Sequence, residues 1–447
     1  MGTETDFAAI VGESRVSADT ATCAGFAVDG VRPHCVVYAA SAEQVAEVLR
    51  CAASHELAVI PSRNGTKLAI GNPPRRYDVA LSLKDMNRVW YYEPDDLVVS
   101  VEPGMKFGDL QHFLGRHNLW VPLDPAGGER ASVGGLLAAN AAGPLRLHFG
   151  GPRDMVLGMK IATVDGKVVK TGGRVVKNVA GYDLAKLLIG SYGTLGVIVE
   201  ATFKLYPRVV ERATWLVEPA SLATTRSLRR DILRSPLRPL RMTLLNAGAQ
   251  ALLKGEEPGP DRLPGAAGFQ VWIEAGGSER VIARYSSELG ALGAKLGAPL
   301  RRIEDDIAAK IWEPIADFGV WLTREKQVPV ILRAAMPIAA AEEFLERAER
   351  EAQTENCAVA GIVQLGVGVV ELGLVSDRDP RPELIASLRH SATSLGGNLA
   401  VTRCPAELKA QIEVWGPPGD DFEVMRKLKA AWDPRNTLSP GRFFGGV

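Results

Sequence analysis

Two periods of hydrophobic recurrence alternate along the first half of the chain. In "SAEQVAEVLRCAASHEL", Val45, Val48, Leu49 and Ala52 return to one side at helical spacing, and Ser41 with Gln44 three residues later predicts a capping box at the start. "LAVI" (57–60) predicts a short strand ended by Pro61, and "DDLVVSVEPG" (95–104) predicts another. "KFGDLQHFLGRHNL" predicts an amphipathic helix carrying Phe107, Leu110, Phe113 and Leu114. "MVLGMKIATVDGKVVKTG" (155–172) predicts a hairpin with Asp165-Gly166 as a two-residue turn, and "GTLGVIVEATFKLYP" (193–207) a buried strand stopped by proline.

From about residue 208 the pattern changes. "ATWLVEP", "GFQVWIEAGG", "QVPVILRAAMP", "CAVAGIVQLG", "VGVVELGLV" and "GNLAVTRCP" read as strands, separated by Ala/Glu/Arg-rich helices such as "PIAAAEEFLERAEREAQ", with Pro337 near its start. One strand–Gly–strand pair near residues 364–369 adds a hairpin, and the whole predicts an antiparallel sheet backed by helices. "LLKGEEPGPDRLPGAAG" (252–268) predicts a surface loop.

At 447 residues the chain is long enough for two or three domains. Its 52 basic and 52 acidic residues cancel, which argues against a nucleic-acid binder but allows a local cationic cluster. No run of apolar residues is long enough to span a membrane and the start "MGTETDFAAIVGES" lacks the features of a cleavable signal, so a cytoplasmic location is expected. The five cysteines (Cys23, Cys35, Cys51, Cys357, Cys404) are scattered and predict reduced thiols with no disulfide framework, zinc site or iron–sulfur cluster.

The chemistry concentrates in glycine-rich stretches: "SRNGTKLAIG" (62–71), "PLDPAGG" (122–128), "ERASVGGLLAANAAGPLRLHFGG" (129–151) and "KNVAGYDLAKLLIGSYGTLGVI" (177–198). Glycine admits close approach of the backbone to a ligand, and successive N–H groups form anion-holding nests. Arg63, Asn64, Gly65, Thr66 and Lys67 in five consecutive positions suit a diphosphate. Neither a G-x-G-x-x-G between a strand and a helix nor a GxxxxGK[ST] is present, which argues against a Rossmann dinucleotide site and a P-loop.

In order and spacing, "VIPSRNGTKLAIG", "VSVEPGMKFGDLQHFL", "ASVGGLLAANAAG", the run from "GGPRDMVLGMKI" to "SYGTLGVI" and the terminal "WDPRNTLSPGRFFGGV" resemble the vanillyl-alcohol oxidase/p-cresol methylhydroxylase flavoproteins. Within that family the chain is most similar to glycolate oxidase FAD-binding subunits that lack the histidine motif. The resemblance implies an α+β fold: a two-part FAD-binding domain (30–208) after an N-terminal segment (1–29), then an antiparallel-sheet-and-helices cap (209–405) and a C-terminal segment returning to the flavin (406–447).

It also implies non-covalent FAD held by Pro61, Arg63, Asn64, Gly65, Thr66, Lys67 and Leu68 around the diphosphate. Ser132, Val133, Gly134, Gly135, Asn140 and Gly143 fall at the flavin and ribityl regions, Gly196 and Ile198 at the adenine half, and Asn436 in the returning segment, with Pro125 a further cofactor-binding residue. His148 is read as an ordinary histidine and not a flavin attachment point.

The cap stretch "AGIVQLGVGVVELGL" (360–374) holds no histidine where the related hydroxyacid dehydrogenases bind metal, so no metal site is expected and no catalytic base is identified; Glu371 is its one carboxylate. Arg324, Arg333, Arg403 and Arg442 are candidates to bind a substrate carboxylate, and Tyr182 to lie beside the flavin. The implied activity is oxidation of a small α-hydroxy acid such as glycolate, in a complex with a second flavin subunit and an iron–sulfur subunit, through which the chain could associate with a membrane. The alternatives are a standalone flavin oxidase or dehydrogenase of another alcohol, and a non-catalytic assembly subunit.

Overall fold

The computed structural model describes residues 2–174, 182–256, 258, 268–376 and 380–447. The predicted first helix is Ala42–Ser54, and it buries Val45, Val48, Leu49 and Ala52. Ser41 Oγ accepts from the Gln44 N–H at 3.2 Å, while the Gln44 amide oxygen takes the N–H of Ala40 at 2.8 Å, one residue earlier than in a standard box.

This helix covers a four-stranded sheet ordered Val16–Ser17, Cys35–Tyr38, Val79–Ser82, Val59–Ser62, in which the last three strands are parallel. Pro61 does not end its strand. Val59–Ser62 is an outer strand of this sheet, where a missing N–H costs no ladder bond, and its Ser62 carbonyl still accepts from Leu83 N at 2.9 Å. Leu438 from the C-terminal segment bridges to Val59 on that open side.

A second, five-stranded antiparallel sheet runs Val89–Glu93, Val98–Val101, Val197–Lys204, Val156–Ala162, Val168–Gly172. The hairpin is present, but Ala162 pairs with Val168, so its loop spans residues 163–167 and is wider than two residues. Thr163 widens it by bonding the Lys167 carbonyl at 3.1 Å through its hydroxyl. Helix Phe107–Gly115 packs Phe107, Leu110 and Leu114 into the core beneath this sheet.

The rest of the chain builds one eight-stranded antiparallel sheet, ordered Leu300–Ile303, Glu211–Val217, Gln270–Gly277, Arg241–Leu245, Ala358–Gln364, Val369–Val375, Val330–Ala335, Asn398–Arg403. Alternation decides its faces: Val330, Leu332 and Val370 join one core with the helices Leu222–Arg234, Glu279–Leu296, Ala341–Thr354 and Pro382–Ser394. Pro337 lies in the turn before Ala341–Thr354, bonding Ala340 N through its carbonyl, and not inside the helix. The opposite face carries Ile331, Arg333 and Glu371, and helices Asp305–Ala316 and Phe318–Glu325 cover only part of it. The uncovered part faces the glycine-rich loops. Of the loop expected at 252–268, residues 252–253 finish helix Ala247–Leu253, and 257 and 259–267 lie outside the described residues.

Candidate functional site

Two cavities meet under the glycine-rich loops. The first is lined by Pro61, Arg63, Gly65, Thr66, Lys67, Leu68, Ser132, Gly134, Gly135, Gly196, Ile198 and Arg442 among the residues singled out in the sequence, joined by Tyr192 and Ser439. The other nominated residues lie outside its lining. Val133 is fully buried in the core, Asn140 lines the second cavity, and Asn64 turns its amide to the Arg130 carbonyl. Gly143 serves packing, because a Cβ there would stand 2.0 Å from the Asp124 carbonyl oxygen. Pro125 is buried beside it, and Asn436 sits in the turn that follows Asp433. Residues 177–181 of "KNVAGYDLAK" lie outside the described residues.

The loop spends its side chains on holding itself. Arg63 donates to the Gly104 carbonyl at 3.1 Å and to the Asn64 side chain, and Lys67 donates to the Ala126 carbonyl. The backbone N–H groups of Asn64, Gly65, Thr66 and Lys67 meet no acceptor among the described residues. Four consecutive free donors at a cavity wall form an anion nest. Ser62 Oγ, at the same wall, is buried without a partner. The cavity therefore fits the diphosphate of FAD by its donor set.

A buried clamp fixes the second half of the loop. Arg442 donates to the carbonyls of Leu68 (2.6 Å), Ile70 (2.7 Å) and Asn72 (3.0 Å). Lys409 donates to those of Ala69 (2.6 Å) and Gly71 (3.2 Å). Asp29 neutralises both, at 2.8 Å from Lys409 and 3.5 Å from Arg442. Burial lowers the Arg442 pKa and Asp29 opposes that shift. Arg442 is thus a loop anchor and not a free carboxylate binder.

The C-terminal segment is itself pinned. Lys429 bonds Asp433 (2.6 Å) and the carbonyls of Thr194 and Leu438, while Asp433 accepts from the N–H groups of Thr437 and Leu438.

The second cavity, about 470 Å³, opens from the first and shares Thr66, Lys67, Ile70, Ala139 and Tyr192 with it. Its floor is the uncovered sheet face, where Arg333 pairs with Glu371 across neighbouring strands at 3.1 Å. Arg403 and Arg146 complete its charged lining with Lys67. Burial and the nearby Arg333 hold the Arg146 guanidinium below its ordinary pKa, and burial does the same to the Lys67 ammonium. Arg324, by contrast, is exposed on helix Phe318–Glu325 and lines neither cavity.

At the junction stands Tyr192, stacked on Phe443 (5.3 Å between ring centres) and edge-on to Trp415 (4.8 Å). Burial raises its phenol to about 12. Tyr182, expected near the flavin, is 94 % exposed instead, so its ring meets solvent. His148 bonds the Arg238 carbonyl at 3.1 Å away from both cavities, and no histidine or cysteine among the described residues lines either one.

Beside the site, Asp124 ties the two halves together. Its carboxyl accepts from Leu145 N (3.0 and 3.1 Å) and lies 3.6 Å from Arg241, whose guanidinium is held more closely by Glu274 at 2.8 and 3.1 Å. Burial, only partly opposed by Arg241, pushes Asp124 up to about 7 from an ordinary 3.8. The folded chain then keeps a proton that the unfolded chain has released. The resulting stability is full below about pH 4 and is lost as pH rises through about 7. Asp124→Asn should flatten the fall in melting temperature between about pH 5 and about pH 8. An unchanged slope in the variant would mean that Asp124 is ionised throughout.

Sheet pairing, donor-lined cavity and cap together define a two-part flavin-binding oxidoreductase. The FAD binding domain family matches residues 33–172, and the C-terminal domain of FAD linked oxidases matches residues 415–443. The chain is 26% identical over 421 residues to the glycolate oxidase subunit GlcD of Bacillus subtilis, covering 92% of this chain and 89% of that one. It is 28% identical over 417 residues to a D-lactate dehydrogenase of Archaeoglobus fulgidus, covering 91% and 90%. In fold it is similar to p-cresol methylhydroxylase with substrate bound (TM-score 0.76, 19% identity, 99% of this chain and 96% of that one). A 4-ethylphenol oxidase from Gulosibacter chungangensis gives a TM-score of 0.77 at 17% identity, with the same coverage. Residues 33–172 thus carry an FAD binding domain and residues 415–443 the C-terminal domain of FAD linked oxidases, in a fold of the p-cresol methylhydroxylase type, and FAD is the cofactor these domains indicate. No helix among the described residues is long and apolar enough to cross a membrane.

Proposed function

We propose that the chain oxidises a small α-hydroxy acid, with non-covalent FAD in the first cavity and substrate in the second. The observation that carries this reading is the cationic second cavity, which opens directly onto the donor-lined one. The division into residues 30–208 for FAD, 209–405 for the cap and 406–447 for the returning segment belongs to the same proposal.

The N–H groups of residues 64–67 would hold the diphosphate, and Ser132, Gly134, Gly135, Gly196 and Ile198 the rest of the cofactor. Bound FAD supplies the two-electron acceptor that oxidation of a hydroxy acid requires. The arginines of the second cavity bind the carboxylate by charge-assisted hydrogen bonds. Glu371 is the carboxylate in that lining; Arg333 holds its Oε1, while its Oε2 accepts no bond among the described residues. That oxygen is the group available to take the hydroxyl proton. The Tyr192, Trp415 and Phe443 rings exclude water at the junction.

The relative in Bacillus subtilis is named as a subunit, and the cap stretch 360–374 holds no histidine. Both favour work within a complex that includes a second flavin subunit and an iron–sulfur subunit. Anaerobic titration of the FAD-loaded chain with glycolate and D-lactate, alone and with co-purified partners, tests this reading. Bleaching of the flavin in either setting is the expected result. A flavin that stays oxidised in both, while dithionite reduces it, would overturn the substrate class.

A further inference from the structure

The charges of the second cavity do not balance for a simple monocarboxylate. Lys67, Arg146, Arg333 and Arg403 line it against the single carboxylate of Glu371. Two of these cations are already answered. Arg333 pairs with Glu371, and Lys67, bonded to the Ala126 carbonyl, lies in the field of Asp317. Arg146 and Arg403 have no hydrogen-bond or ion-pair partner among the described residues; Asp154 attracts Arg146 only from beyond ion-pair reach.

The two free guanidiniums also come from different parts of the fold. Arg403 ends strand Asn398–Arg403 of the large sheet, whereas Arg146 opens the short helix Arg146–Phe149 after the glycine-rich loops. A cavity of about 470 Å³ leaves more room than a two- or three-carbon acid fills. Arg146 is half-buried and Arg403 exposed; each lines the cavity without a protein partner and is available to one anionic group.

We infer that the natural substrate is a dianion, a 2-hydroxy acid with a second carboxylate, one carboxylate meeting Arg146 and the other Arg403. This rests on the proposed reading of the second cavity as the substrate site.

The test is binding to the FAD-loaded chain, read by thermal shift and by perturbation of the flavin spectrum, with malate and 2-hydroxyglutarate against glycolate and lactate at matched ionic strength. Both D and L forms of the chiral acids are used. The expected result is a Kd at least about tenfold lower for a dianion, equivalent to about 1.4 kcal/mol. Arg146→Gln and Arg403→Gln should each remove that advantage, weakening dianion binding more than monoanion binding, without changing FAD content. Equal affinity for monoanions and dianions, or no binding of any of these acids, would overturn the inference. So would parallel loss of both classes in both variants, because both guanidiniums would then clasp one carboxylate. Bleaching by glycolate with no dianion preference would sink this inference and leave the hydroxy-acid reading standing; a chain that retains no FAD would remove both.

Discussion

Asp29→Asn should abolish FAD binding and lower the melting temperature more than any other single change near the site. Asp29 is the counter-charge for two cations, Lys409 with a side chain 1% exposed and Arg442 at 6%. Removing one partner of a buried ion pair costs about 3–5 kcal/mol, because the remaining charge stays desolvated. Here both cations also carry the carbonyls of residues 68–72, so the cost falls on the loop that holds the nest. If the loop must be reordered for binding, about 3 kcal/mol corresponds to a loss of at least about 100-fold in affinity. Asp29→Asn combined with Lys409→Met should recover part of the melting temperature, since one uncompensated charge is gone. An Asp29→Asn chain that melts like the parent and keeps its flavin would show that the clamp does not support the loop.

The second large effect is expected at Gly65. Its φ is +68°, and a Cβ there would meet only Leu68 Cδ1, at 3.6 Å, so a side chain has space and grows along the cavity wall. Gly65→Trp should therefore remove FAD binding while leaving the fold, since the residue is exposed and belongs to no core cluster. Gly65→Asn separates strain from occlusion. Asn tolerates the left-handed region and is small, so this variant should keep FAD within about tenfold of the parent. Normal flavin content in the Trp variant would remove this loop from the binding site.

How much of this was legible in the sequence follows the range of the interactions. Helix Ala42–Ser54 and the six cap strands were readable because burial imprints a period on neighbouring residues. Pro61 misled because a proline ends a strand only where its N–H is needed, and a sequence does not say which strands lie at an edge. The nest at residues 64–67 was readable as a cluster of small donors. Its clamp was not: Asp29 and Lys409 are 380 positions apart, and Lys409 sits in an unremarkable "AELKAQ".

Tyr192 and Arg146 were missed for a related reason. Both lie inside glycine-rich stretches that were recognised, "GSYGTLG" and "AAGPLRLHFGG", but nothing local distinguishes a cavity-facing ring or guanidinium from a surface one. Tyr182 had the same local credentials and points to solvent. Arg403 was readable as a candidate because it ends a strand of the cap, yet its partner in the cavity needed the fold.

The most direct test of the account is the visible spectrum of the purified chain after FAD addition and desalting, followed by acid precipitation. The account predicts a retained flavin band on the folded chain and, after precipitation, free flavin in the supernatant, since no histidine or cysteine among the described residues lines either cavity. A spectrum without flavin, or flavin carried down with the protein, would contradict it.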